Sequence, residues 1–345
     1  MDDELPPRES CKLKPLMVAS PISPEMQVPM PLHKGANPDL SDNNGRTDLS
    51  FVAEKDLLGE VTLLLESNAD ADLCDDTGRS PLLWALFHNH TDVAKLLLEK
   101  DIDVNVKDRE GRTALSLCAG RGLTEIAQLL VNKGADLDSK DEDDRPPISY
   151  AARWGYTEVV CMLIDEGADP NLVEELQWEE FQAPICWAVE YGQEAVLRTF
   201  LAKTNALQAC ENTCSEHRKP LMLAFGSQSE AMVKLLLDHD ADLWGYCSND
   251  GPLAWAAELG RYNMVQIFLQ HETQAYEDRQ SHMFSALMLA AESGHGGIVE
   301  LLLEDGALDG QGAYQTAWDL AECFGHEEVM ATLDPYLINK DGNGK

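Results

Sequence analysis

The stretch GRTALSLCAGRGLTEIAQLLVNKGAD, residues 111–136, decides how the rest of the chain is read. It opens on Gly111-Arg112-Thr113-Ala114-Leu115, where the Thr113 hydroxyl can cap the orphan N–H groups of a helix's first turn. A small-residue helix follows, then the apolar run Ile126-Ala127-Gln128-Leu129-Leu130. Gly134 closes that second run, where a left-handed residue is cheapest. Two such short helices cannot bury an apolar face alone, so copies of the unit are expected beside it.

The copies are there. The apolar residue ending each Thr-Pro-Leu-like element falls at Leu49, Leu82, Leu115, Ile148, Ile185, Leu221, Leu253 and Leu287, at intervals of 33, 33, 33, 37, 36, 32 and 34. A second series falls at Leu64, Leu97, Leu130, Leu163, Phe200, Leu236, Phe268 and Leu302, and every member stands at the same offset from its partner as Leu64 does from Leu49. Length changes never fall between the two anchors, so they fall in the connectors. The helical pairs are rigid and the connectors vary.

Gly78-Arg79-Ser80-Pro81-Leu82, Asp136, Gly167-Ala168-Asp169-Pro170-Asn171 and the run from Gly294 to Leu303 carry a resemblance to the ankyrin repeat family, over roughly residues 14 to 335. Pro81 suits the first helical position, and pairs such as Ala151-Ala152, Ala256-Ala257 and Ala290-Ala291 let first helices pack closely. The fold expected is an all-α ankyrin-repeat solenoid of about ten helix-turn-helix units with atypical caps. Its division is a disordered leader at 1–12, a degenerate N-terminal cap repeat at 13–41, the array at 42–309, a C-terminal cap repeat at 310–337 and a disordered tail at 338–345. Pro29 and Pro31 oppose a second helix in the first repeat, and Pro335 is expected to end the array.

Composition narrows the function. Sixty-one acidic against 26 basic residues give a formal charge of −35, which repels nucleic acid and anionic lipid. No run approaches the ~18 apolar residues of a membrane span. Nine cysteines sit singly, several inside apolar helical patterns, which favours a reducing compartment, the cytoplasm or the nucleus.

The resemblance implies that the connector tips and the first helix of each pair form a concave binding face. On that face lie Trp84, Phe87, His88, Arg121, Arg153, Trp154, Trp187, Tyr191 and Trp255, residue types that anchor desolvated interfaces. Two neighbouring connectors are enlarged. The first carries Trp178 and Phe181 among acids; the second carries Cys210, Cys214, His217, Arg218 and Lys219. Cys210, Cys214 and His217 are soft ligands, but C-x3-C-x2-H lacks a second half, and a fourth ligand would have to come from Cys186 or Cys247. The sequence is therefore read as holding no metal and no cofactor. His90, His295 and His326 are read as structural.

No nucleotide-binding, zinc-protease, nucleophile-elbow or calcium-loop motif is present. The resulting reading is an adaptor that binds a protein, one with a basic surface, through an aromatic and charged groove. The alternative is a catalytic or carrier pocket for a small hydrophobic ligand, with Glu190, Glu258, Arg153 and Tyr191 as its working groups.

Overall fold

A computed structural model describes residues 37–176, 180–215, 218–243, 251–271, 276–305 and 311–338. The leader at 1–12, nearly all of the cap repeat at 13–41 and the tail beyond 338 lie outside them. The chain divides into two compact units, Met1–Leu176 and Gln177–Lys345.

The first unit contains four helical pairs among the described residues. They are α1 (Asp48–Glu54) with α2 (Leu58–Glu66), α3 (Pro81–Phe87) with α4 (Thr91–Leu98), α5 (Ala114–Ala119) with α6 (Thr124–Asn132), and α7 (Pro147–Trp154) with α8 (Thr157–Asp165). Each first helix packs on the next first helix and each second on the next second. The anchors Leu82, Leu97, Leu115, Leu130, Ile148 and Leu163 are all at most 2% exposed. Each such side chain contributes about 1.5–3 kcal/mol by leaving water. The expected caps form: Ser80 accepts from the Leu83 N–H, and Thr113 and Ser116 cap reciprocally.

The connectors of this unit are built by one turn, repeated once per helical pair. Oδ1 of Asp42, Asp75, Asp108 and Asp141 accepts the N–H groups two and four residues on, at 2.8–3.1 Å. The turn needs a left-handed residue, supplied by Gly45, Gly78 and Gly111 and, in the fourth copy, by Asp144. At Gly78 a Cβ would lie 2.8 Å from the Lys107 carbonyl, because neighbouring connectors touch there: Arg109 N–H donates to Thr77 O at 2.9 Å. Asp141, the first residue of the acidic run 141–144, is thus a turn-forming carboxylate, and the Tyr150 hydroxyl donates to it.

A second seam runs past the ends of the second helices. Oδ1 of Asp39, Asp72, Asn105 and Asp138 accepts the N–H of Asp70, Asp103, Asp136 and Asp169, each 31 residues ahead, at 2.8–3.0 Å. Within each repeat the N–H of Asp72, Asn105, Asp138 and Asn171 donates to the Asp two residues back. The unit ends on strand β1 (Glu174–Leu176).

The second unit opens on strand β2 (Glu180–Gln182). Then come α9 (Pro184–Glu190), α10 (Glu194–Lys203), α11 (Ala206–Thr213), α12 (Pro220–Gly226), α13 (Glu230–Leu237), α14 (Pro252–Glu258), α15 (Tyr262–Gln270), α16 (Tyr276–Glu292), α17 (Gly296–Glu304), α18 (Gln311–Phe324) and α19 (Glu327–Ile338). Ile185, Phe200, Leu221, Leu236, Phe268, Leu287 and Leu302 have no exposed surface.

Three features depart from the regular pattern. The second enlarged connector is a helix, α11, because its added residues place Ala206, Leu207 and Cys210 on one buried side. Helix α16 starts early: between Tyr276 and Leu287 no glycine or proline interrupts it. Pro335 lies inside α19 and does not end it; Tyr336 packs on Tyr314 with centroids 5.7 Å apart, and Trp318 Nε1 donates to Asp334 at 2.9 Å, so the last turn is held past the missing N–H.

Candidate functional site

In the first unit the first helices carry a ladder of aromatic rings and guanidinium groups. Arg46 lies 4.0 Å from the Phe51 centroid and 4.2 Å from that of Trp84; Arg79 lies 4.8 Å from Trp84 and 4.3 Å from Phe87. Arg112 and Arg121 flank Phe87 at 5.7 and 5.4 Å. Arg46, Arg79, Arg112 and Arg145 recur once per repeat at a constant interval, a signal present in the sequence that a search for exposed aromatics passes over.

Carboxylates hold these arginines in place, and the turn carboxylate Asp108 holds two of them. Asp108 accepts from Arg112 Nε at 3.1 Å and Nη2 at 2.7 Å, with Arg79 Nε 3.6 Å away. Arg46 pairs with Glu54. Burial alone would raise the Asp75 and Asp108 carboxyls, but hydrogen bonds from Thr77, Arg79 and Trp84 at the first, and from Arg112 at the second, hold both below the usual carboxylate range. The Trp84 indole N–H donates to Asp75 at 2.8 Å.

Trp84 and Phe87 are half-buried by this ladder and His88 is exposed, its ring stacked on Trp84 at 5.9 Å. Arg121 donates to the Phe87 carbonyl at 2.7 Å, tying one repeat to the preceding one. His90 makes the same kind of tie, donating from Nε2 to the Glu54 carbonyl at 2.9 Å. At the end of α7, Trp154 is 55% exposed, with the Arg153 guanidinium 5.6 Å from its ring.

In the second unit Trp187 is buried and tilts against Tyr191, centroids 5.9 Å apart, while Tyr191 stays exposed. Trp255 is half-buried, and Leu259 and Tyr262 beyond it are exposed. Glu190 accepts from Gln182 at 2.9 Å and pairs with Arg218 at 3.3 Å. Glu258 is exposed, and its carbonyl takes the His295 ring; His326 does likewise for Glu292. Phe181 is partly exposed, its backbone bonded both ways to Ser215, so β2 and the segment after α11 support one another. Trp178, His217 and Cys247 lie outside the described residues.

Cys186, from the first turn of α9, meets Cys210 and Cys214 of the inserted helix. Burial, and then hydrogen bonding with both neighbours, pushes the Cys186 thiol up. Hydrogen bonds from Cys186 and Cys210 hold Cys214 down, to about 4. Sequence spacing pairs Cys210 with Cys214 and leaves Cys186 and Cys247 as alternatives beside them; the structure brings Cys186 to the pair, through a helix that reads as a connector.

A family model described as ankyrin repeats, in three copies, matches residues 16–108, 103–174 and 244–311. The chain belongs to the ankyrin repeat family. The match starts at residue 16, before the first described helix. Ankyrin repeats generally serve as protein–protein interaction modules. No curated protein matches this chain. Among the described residues no helix is long and apolar enough to cross a membrane.

Each ankyrin unit therefore presents pre-positioned side chains on first helices packed side by side. The first offers Trp154 beside Arg153 and the flanking ladder; the second offers Tyr191 on Trp187. The groups that could do acid–base work are distributed differently: Arg153 is in the first unit, while Glu190, Tyr191 and Glu258 are in the second.

Proposed function

We propose that the protein is an adaptor that binds a partner protein, one presenting a basic surface, through the first-helix faces of its repeats. The observation that carries the reading is Trp154, a large ring left more than half exposed on a helix whose anchor Ile148 and inner alanines have no exposed surface. Exposed aromatic groups on a rigid frame are the usual material of recognition anchors. Phe87, His88 and Arg121 extend this face in the first unit; Phe181, Tyr191 and Trp255 are the corresponding groups of the second. Exposed acids at the connector tips, Asp76, Glu110, Glu142 and Asp143, favour the basic partner and make association weaken with salt. The seven described cysteines are unbridged, which supports a cytoplasmic or nuclear setting.

The test is affinity capture of the partner, followed by titration against wild type, Trp154→Ala and Tyr191→Ala, each checked for unchanged helical content. Truncating an anchor should weaken binding by at least about 1.5–2 kcal/mol, or roughly 10- to 30-fold. Equal affinity in both variants would remove these faces from consideration. A bound small hydrophobic molecule lost in the variants, with no protein partner, would put the alternative pocket in its place.

A further inference from the structure

The sulfurs of Cys186, Cys210 and Cys214 point at one another inside the second unit, away from any exposed face. Cys186 Sγ is 3.0 Å from Cys210 Sγ and 3.8 Å from Cys214 Sγ, and the last two are 2.8 Å apart. All three are buried and none is bridged. Among the described residues they are the one group of three or more His, Cys, Asp or Glu whose ligand atoms lie within 4.8 Å of each other.

Space filling does not account for this convergence. A thiol is a weak donor and a weak acceptor, and a buried one gains the same dispersion from any apolar neighbour. Two elements combine to produce it. Helix α11, which a regular repeat lacks, sets Cys210 and Cys214 four residues apart on its buried side, with Cys214 as the residue after its last turn. Helix α9 supplies Cys186 from a position where the chain needs only a small apolar residue. The nearby carboxylate of Glu211 faces Lys219, 3.7 Å away, and takes no part. The donor set is all sulfur, and thiolate ligands select soft cations.

We propose that Cys186, Cys210 and Cys214 form a site for one thiophilic d10 cation, Zn2+ or Cu+, and that the bound ion fastens α11 to α9. Sulfurs about 2.3 Å from a zinc ion stand about 3.8 Å apart in a tetrahedron, so one edge already has that length and the other two open by about 0.8 and 1.0 Å. The three sulfurs bind as thiolates, so each proton they still carry is released to solvent, and the product carries a net charge of −1 with Zn2+ or −2 with Cu+. Zinc would leave a fourth position for another donor; copper(I) accepts three sulfurs in a plane.

The full-length protein, reduced, stripped with a chelator and kept anaerobic, is titrated in separate arms with Zn2+, with Cu+ and with Co2+ as a spectroscopic reporter. One equivalent should be retained against a competing chelator, and the cobalt form should show strong thiolate-to-metal charge transfer. Cys186→Ser, Cys210→Ser and Cys214→Ser should each lose more than the ~100-fold in affinity that outer-sphere changes cost, while Cys74→Ala, an exposed thiol of the first unit, binds as wild type. Retention of Cu+ alone assigns the ion to copper, and of Zn2+ to zinc. Because a serine in this core can itself unfold α11, the wild-type protein is also alkylated with and without metal, which should protect these three thiols. Failure of the wild type to take up any of the ions, uptake unchanged in Cys214→Ser, or alkylation indifferent to metal overturns the site.

Discussion

Replacing Asp108 with Asn tests whether the turn carboxylates hold the arginine ladder together. The side chain has no exposed surface, takes two hydrogen bonds from Arg112 and accepts the N–H groups of Glu110 and Arg112. Asn keeps an oxygen for the two N–H groups but sets an NH2 against the guanidinium. Two hydrogen bonds to a charged group at about 1.5–3 kcal/mol each give an upper figure of ~3–6. Arg112 and Arg79 retain 22% and 14% side-chain exposure and can recover water, so the expected loss is nearer ~2–3 kcal/mol. Amide exchange in α3 and α5 should then accelerate by roughly 30- to 150-fold where it follows unfolding of the unit. The sign of the pH effect is fixed as well. A carboxyl whose folded pKa is depressed stabilises above its unfolded value, near ~3.9, and that contribution disappears as pH falls toward the folded value. The variant should lose less stability than wild type between pH 5 and pH 2. A double-mutant cycle with Arg112→Gln should return a coupling of about 1 kcal/mol or more. Exchange rates within twofold of wild type and an unchanged acid profile would refute the account.

Three further outcomes are expected. Glu211 is raised to about 7 by burial first and then by Asp242, against the pull of Lys219; its contribution is complete below the unfolded pKa near ~4.3 and lost as pH rises through 7, so the second unit should melt lower at pH 8 than at pH 5.5 and Glu211→Gln should flatten that slope. Phe268→Ala empties a fully buried site beside Phe225, and chemical denaturation should report a loss of about 3–5 kcal/mol; less than ~1 would mean that α15 is loosely packed. At Gly122 and Gly134 φ is +70° and +85°, but a Cβ at Gly122 would stand 2.4 Å from the Tyr156 ring and one at Gly134 meets nothing within 4 Å. Gly134→Ala should cost about 1–2 kcal/mol from backbone strain and Gly122→Ala a further ~1–3 from the clash, and equal melting points for the two would show that Tyr156 swings aside freely.

The repeat was legible because its signals are local and periodic: a cap, an apolar pair at a fixed offset, a glycine. That offset marks core positions from Leu49 to Leu302 because both anchors sit on rigid helices. What the sequence concealed depends on non-local geometry. Cys186 meets Cys210 only because the inserted residues fold as α11, and a connector's length does not reveal its conformation. Phe87 and Trp84 look like bare aromatics in the sequence, yet arginines recurring once per repeat cover them. Trp154 stays exposed for a local reason, since it is the last residue of α7 and Gly155 turns the chain away in a left-handed conformation. Pro335 does not end α19 because contacts from another helix hold both its flanks, Trp318 on Asp334 before it and Tyr314 on Tyr336 after it.

The seam of Asp and Asn side chains in the first unit has a direction. Every repeat gives an acceptor to its successor and a backbone donor to its predecessor, so a repeat fits this stack only one way up, and its two ends are not interchangeable. A repeat transplanted between the third and fourth helical pairs would need Asp or Asn two residues after its own seam donor, or the line of hydrogen bonds would break on the far side of the graft. That polarity resides in a few short polar side chains at the surface, and the apolar anchors, which look the same from either end, could not supply it.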